Sequence, residues 1–217
     1  MPFTAFAATL ADLVLPRCCV GCGRAGPTLC ASCTPAGLLR YDAAGLPVVA
    51  AGEYGAALRT ALIAYKERGR RDLAAVLAGL LGRAVADGPA GVLVPVPCPP
   101  RVARTRGGDH VLRLARIVAR GNACTVATPL RLVRPVQDSA GLSLRARAAN
   151  LHGAMAATAP PLVGTAAVVV DDIVTTAATL HEAARALTVA GWSVSGGAAV
   201  AATARRGSAL ARPGRAV

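Results

Sequence analysis

The sequence predicts an α/β protein, a doubly wound parallel sheet with a small cysteine module at its N-terminal side. Three observations carry that expectation. Helix-like and strand-like segments alternate between residues 50 and 203. Aromatics make up only 3% of a chain that is 54% hydrophobic, so the core must be closely packed Ala, Val and Leu. Four cysteines crowd into residues 19–33 as two Cys-x2-Cys pairs. At 217 residues there is enough chain for one ordinary domain and an appendage.

The elements follow in order. Met1–Pro16 is apolar but has no basic start and contains Asp12, which argues against a signal peptide. No stretch reads as a membrane span, and clustered thiols suit a reducing compartment, so a cytoplasmic protein is expected. Residues 1–40 form the cysteine module. Cys19-x2-Cys22 and Cys30-x2-Cys33, seven residues apart, can present four thiolates tetrahedrally to Zn²⁺. Four protein ligands leave no open position, which makes the zinc structural rather than catalytic. Cys18 is an alternative to Cys19 as the first ligand.

The domain proper spans 50–204. Tyr54–Lys66 and Asp72–Ala86 carry Leu and Ala at helical spacing, with the Arg68-Gly69-Arg70-Arg71 break between them. Gly91–Val94, closed by Pro95, reads as a strand, Val111–Ala119 as a helix and Cys124–Val133 as a strand. Ala166–Val170 is a buried strand. Ala177–Ala190 is a helix stopped by Gly191, and Val194–Ala202 is the last strand. Residues 205–217 are basic and lack apolar periodicity, as expected of a disordered tail. His110, His152 and His181 are isolated in the sequence and are expected to be solvent-exposed or hydrogen-bonded rather than metal ligands, and Cys98 and Cys124 read as small apolar residues.

Charge is unevenly spread. The net charge is +13, and Lys66 is the only lysine. Residues 99–150 hold ten arginines against Asp109 and Asp138, a local 10 − 2 = +8. Such a field attracts polyanions, including nucleic acid, nucleotides and pyrophosphate.

The most informative segment is 166–180, Ala-Ala-Val-Val-Val-Asp-Asp-Ile-Val-Thr-Thr-Ala-Ala-Thr-Leu. An apolar strand meets two adjacent carboxylates, then a hydroxyl-rich turn, then a helix. Amides at a helix N-terminus make an anion site, and the dipole favours phosphate there. Thr175, Thr176 and Thr179 add hydroxyl donors, and the Ala177 and Ala178 amides complete the cradle. Asp171 and Asp172 are placed to accept ribose hydroxyls and to stabilise positive charge on the sugar ring. A helix cap alone needs one such residue, not two acids and three threonines.

This segment resembles the 5-phosphoribosyl-1-pyrophosphate (PRPP) motif of type I phosphoribosyltransferases. Leu-Pro-Arg-Cys at 15–18, the cysteine pairs, Tyr54, Lys66 with Gly69, Val-Pro-Val-Pro at 94–97, and Gly-Leu-Ser at 141–143 with Arg147 and Asn150 extend the likeness. From Leu13 to Arg205 the chain resembles the ComF family, the competence-associated branch of that superfamily. The resemblance implies a type I phosphoribosyltransferase-like fold that binds PRPP with Mg²⁺, or a nucleotide. It implies phosphate contacts from Arg101, Arg104 and Arg106 after the Val92–Val94 strand, with Lys66 nearby. Arg134–Asn150 would be a hood that closes over ligand. It also implies a second role, in uptake of single-stranded DNA beside a competence helicase, or as a PRPP-sensing adaptor. No aromatic lies between 99 and 150 to stack bases, so DNA contact would run through phosphates.

Three positions depart from the family pattern. Ala177 stands where the motif has glycine, and Ser139 where the hood has glutamine. Arg106-Gly107-Gly108-Asp109-His110 stands where the family has Arg-Gly-Phe-Asn-Gln.

Overall fold

The computed structural model describes residues 18–122, 124–136, 144–162 and 164–203, without the side chains of 144, 145, 147 and 148. The expectations for Met1–Pro16, the 205–217 tail, Ser139, Gly141 and the Arg145 and Arg147 side chains lie outside those residues. In chain order the strands are Leu39–Ala43 (β1), Leu46–Ala50 (β2), Val92–Pro95 (β3), Leu130–Leu132 (β4), Met155–Ala157 (β5), Ala166–Val174 (β6) and Ser193–Ala202 (β7). The helices are Ala56–Glu67 (α1), Ala74–Asp87 (α2), Pro100–Thr105 (α3), His110–Gly121 (α4), Leu144–Leu151 (α5) and Ala178–Val189 (α6).

Five strands form the central sheet in the order β1-β2-β7-β6-β3. All pairs are parallel except β1 with β2. That pair is a hairpin the sequence reading did not anticipate. Its two turn residues, Ala44 and Gly45, have φ of 53° and 87°, the left-handed geometry that matches strand twist. Asp42 Oδ1 accepts the Gly45 N–H at 2.6 Å and fixes the turn.

Both faces of the sheet centre are covered. Val168, Val169 and Val170 in β6 and Ala198–Ala201 in β7 are each no more than 1% exposed, although consecutive residues point to opposite faces. Helices α2 and α4 pack on each other and against β2, β3 and β7, while α6 packs on β6 and β7. Small alanines let these layers approach closely, as the low aromatic content requires.

Two expected strands change length. The ladder with β7 carries β6 on through Asp171 and Asp172 to Val174, opposite Ala202, so the acids lie within the strand rather than at its end. Of the expected Cys124–Val133 strand, Leu130–Leu132 forms β4, and Val126 makes a single parallel bridge to Leu93. Strands β4 and β5 form a separate antiparallel ribbon. Glu182 of α6, 4% exposed, clamps it: its Oε1 accepts the Met155 N–H at 2.9 Å. Arg185 donates to Glu182 Oε2 at 2.8 Å and to the Met155 carbonyl at 2.9 Å.

Topology determines where a crevice opens. The chain leaves β3 through α4 and pairs outward, with Leu93 N–H donating to Thr125 O at 2.9 Å and Ala127 N–H to Leu93 O at 3.0 Å. It leaves β6 through α6 and pairs the other way, with β7. Connections that diverge from neighbouring parallel strands leave a gap beyond their carboxyl ends. Here that gap lies between β3 and β6.

The cysteine module docks on the start of α1. A Cβ added at Gly21 would sit 2.5 Å from the Ala57 Cβ and 3.2 Å from its Cα, so only glycine fits there. Arg83 of α2 donates to the carbonyls of Pro35 and Ala36 at 2.8 and 3.0 Å. Among the described residues no helix is long and apolar enough to cross a membrane.

Candidate functional site

A cleft of about 450 Å³ fills the gap between β3 and β6. The segment after β3 supplies Val96, Pro97, Cys98 and Pro99, and β6 with its turn supplies Asp171, Asp172, Ile173, Thr175 and Thr179. Tyr54, Lys66, Arg106 and His110 close the remaining sides.

The acid pair lies at the floor. Asp171 is 8% and Asp172 4% exposed. Lys66 Nζ and His110 Nε2 both lie 2.8 Å from Asp172 Oδ2. Burial opposes ionisation of Asp172, but the His110 hydrogen bond and the Lys66 charge outweigh it and hold the carboxyl below its ordinary value. Asp171 has no such cation. Burial first, then the charge of Asp172, push it well above the ordinary carboxylate value. Its Oδ1 accepts the Asp172 N–H at 2.8 Å, which fixes its rotamer. Two adjacent acids thus shift in opposite directions, because the close His110 and Lys66 contacts both fall on Asp172.

Beyond Val174 the chain turns sharply. Ala177, the N-cap of α6, has φ 59° and ψ 8°, a left-handed conformation in a residue with a Cβ. The turn exposes the first amides of α6, which have no intrahelical acceptor. Thr176 Oγ1 takes the Ala178 N–H at 3.3 Å. A hollow of about 20 Å³, lined by Asp171 and 173–180, lies inside the turn. Thr176, Ala177 and Ala178 border this hollow, while Thr175 and Thr179 border both it and the cleft.

The arginines divide. Arg106 lines the cleft and pairs with Glu67. Arg101 and Arg104 do not line it. They are exposed on α3, a six-residue helix with no buried side chain, which turns them toward solvent. Lys66 reaches the cleft, but its partner is Asp172.

The places of two cleft residues and of one that ties its walls together escape the sequence reading. His110 is hydrogen-bonded, one of the two expected states, but its burial and its partner Asp172 place it at the cleft. Cys98 lines the cleft instead of serving only as packing, and burial raises its thiol above the ordinary value. Asp109 joins the walls: its Oδ1 caps α4 through the Leu112 N–H, and its Oδ2 accepts the Cys98 N–H, both at 3.0 Å. An acid directly before an apolar helical run, after Gly107-Gly108, is the signal that could have revealed this cap.

The second centre is the cysteine cluster. The Sγ atoms of Cys19, Cys22, Cys30 and Cys33 all lie within 4.8 Å of one another. Four thiolates around one tetrahedral zinc would have S···S spacings of about 3.8 Å. The Cys22–Cys30 spacing is 3.7 Å, so the set fits such an ion. Cys19, not Cys18, completes the cluster; Cys18 instead bridges to Ala25. Burial opposes a Cys19 thiolate, but the backbone N–H groups of Cys30, Cys22 and Gly21 outweigh it and bring its value down to about 6. Cys33, with Cys30 bonded to it and little solvation, is pushed up to about 12. The chain therefore carries a four-cysteine cluster able to hold a metal ion.

Comparison with protein-family models and with curated proteins finds no match to this chain.

Proposed function

We propose that the cleft binds a phosphorylated pentose, as PRPP with Mg²⁺ or as a nucleotide, in the manner of a type I phosphoribosyltransferase. The observation that carries this reading is the buried acid pair, one member held ionised, placed beside the left-handed turn that opens α6. The turn suits the 5-phosphate, through backbone amides and the hydroxyls of Thr175, Thr176 and Thr179. Asp171 and Asp172 suit the sugar hydroxyls. If turnover occurs, a nucleophile forms a bond to the anomeric carbon as the bond to pyrophosphate breaks, and Asp172 offsets the positive charge on the ring. Arg106 is the arginine positioned for the departing pyrophosphate. The cysteine cluster holds Zn²⁺ and braces α1.

A phosphoribosyltransferase-like, ComF-type protein of this kind is tested by calorimetry with PRPP–Mg²⁺. Saturable binding is expected in the wild type, and loss of at least tenfold in affinity in Asp171→Asn/Asp172→Asn, since each charge-assisted bond contributes about 1.5 kcal/mol or more. No binding to the wild type, or equal binding to the double variant, overturns the reading. Pyrophosphate release with a panel of bases then separates an enzyme from a sensor.

A second reading, contact with a nucleic-acid backbone in DNA uptake, draws on a different surface. Arg101, Arg104, Arg116 and Arg120 are exposed and, among the described residues, none has an ion pair. A labelled single strand titrated across salt concentrations should then dissociate steeply as salt rises. A salt-independent signal would count against it.

A further inference from the structure

We propose that His110 is a positioning residue that, with Lys66, anchors one oxygen of Asp172 so that the other is presented to the sugar. The inference rests on the pentose-binding reading above and assigns a role to a residue outside the phosphate turn.

The geometry divides the carboxylate. Both close contacts, His110 Nε2 and Lys66 Nζ at 2.8 Å, converge on Oδ2. Oδ1 has neither. An ionised carboxylate only accepts hydrogen bonds, so Nε2 must carry the proton that His110 donates. His110 itself cannot wander. It is the first residue of α4, capped by Asp109, and its carbonyl accepts the Tyr65 hydroxyl at 3.2 Å. Tyr65 and Lys66 are consecutive on α1, so one turn of α1 holds both the histidine backbone and the carboxylate it serves.

The histidine is also anomalous. It is only 7% exposed, and its Nδ1 is a fully buried polar atom with no hydrogen-bond partner, the sole such side-chain atom among the described residues. Burying an unpaired ring nitrogen carries a desolvation cost, which the bond from Nε2 to Asp172 offsets. What the ring provides is a short, rigid donor to Asp172. A flexible side chain at the same place would fix the acid less firmly.

Two probes separate the anchor from the phosphate turn. Inorganic phosphate engages only the turn at 175–179, whereas ribose 5-phosphate engages the turn and the acids. Affinities of both are measured by calorimetry for the wild type, His110→Ala and His110→Gln, with a thermal melt of each. In His110→Ala, ribose 5-phosphate affinity is expected to fall on the order of tenfold while phosphate affinity holds. His110→Gln, which retains an N–H donor, is expected to recover most of the loss.

Equal ribose 5-phosphate affinity in wild type and His110→Ala overturns the anchoring role while leaving the pentose site standing. So does a parallel loss of both ligands that glutamine does not recover, because that pattern belongs to a general packing defect. If the wild type binds phosphate but gains nothing from the ribose, the pentose reading fails and this inference fails with it. Should His110→Ala not fold, Lys66→Met takes its place, with the same split between the two probes expected.

Discussion

Asp171 and Asp172 are neighbours in sequence with opposite acid–base behaviour, and pH resolves them. A carboxyl whose folded value is depressed, as for Asp172, adds stability above its unfolded value near 4 that is lost as pH falls toward the folded one. A carboxyl whose folded value is raised, as for Asp171, adds stability at low pH that is lost as pH rises through that value. Asp172→Asn should therefore cost about 3 kcal/mol at pH 7, because it leaves Lys66 and His110 without their partner, and less as the buffer is acidified. Asp171→Asn, which mimics the protonated acid, should gain stability relative to wild type as pH rises above the unfolded value near 4. Urea unfolding of both variants from pH 8 down to about pH 2.5, a range that crosses the unfolded value near 4, checks the two trends; parallel profiles would contradict the assignment. Ala177 yields a second test at this scale. Its φ of 59° strains an L-residue, so Ala177→Gly should raise stability by up to about 1 kcal/mol in the same assay, despite the extra freedom glycine gains when unfolded.

At the scale of elements, the sequence reveals periodic segments and hides their ends. Helices α1, α2, α4 and α6 are legible because Leu and Ala recur at helical spacing, and each lies within two residues of its expected bounds apart from the 3-10 turn at Arg71–Leu73 that precedes α2. The length of β6 is not legible. Two carboxylates look like a strand end, and only the pairing with β7, a long-range fact, draws them into the sheet. The β1–β2 hairpin is missed for the opposite reason: Ala44-Gly45 is a weak turn signal, and the alternation around it is broken by Pro47. The acid pair and the hydroxyl-rich turn after it are readable from residue type alone, whereas His110 at the site is not, since α4 must first be placed beside β6. The cysteine module is readable from spacing, but its docking on Ala57 is not. That docking predicts that chelation lowers the melting temperature and speeds amide exchange in the first turn of α1 more than in α6. Exchange read by mass spectrometry with and without chelator checks it, and uniform acceleration across both helices would refute a local brace.

The whole molecule follows from where its sheet is stitched together. Pairing β3, β6 and β7 in that order sets the cleft at a divergence point, with Arg106 among the residues that line it. Val and Ala predominate in the central strands β6 and β7, so the sheet's strength depends on tight interlayer fit rather than bulky residues. One pairing has a further consequence. Val48 in β2 lies opposite Gly197 in β7, a separation of 197 − 48 = 149 residues. During synthesis the hairpin and the thiol cluster emerge early but find no parallel partner until the final strand leaves the ribosome. The β1–β2 edge must then stay unpaired until β7 is made, which makes it a late part of the sheet to close.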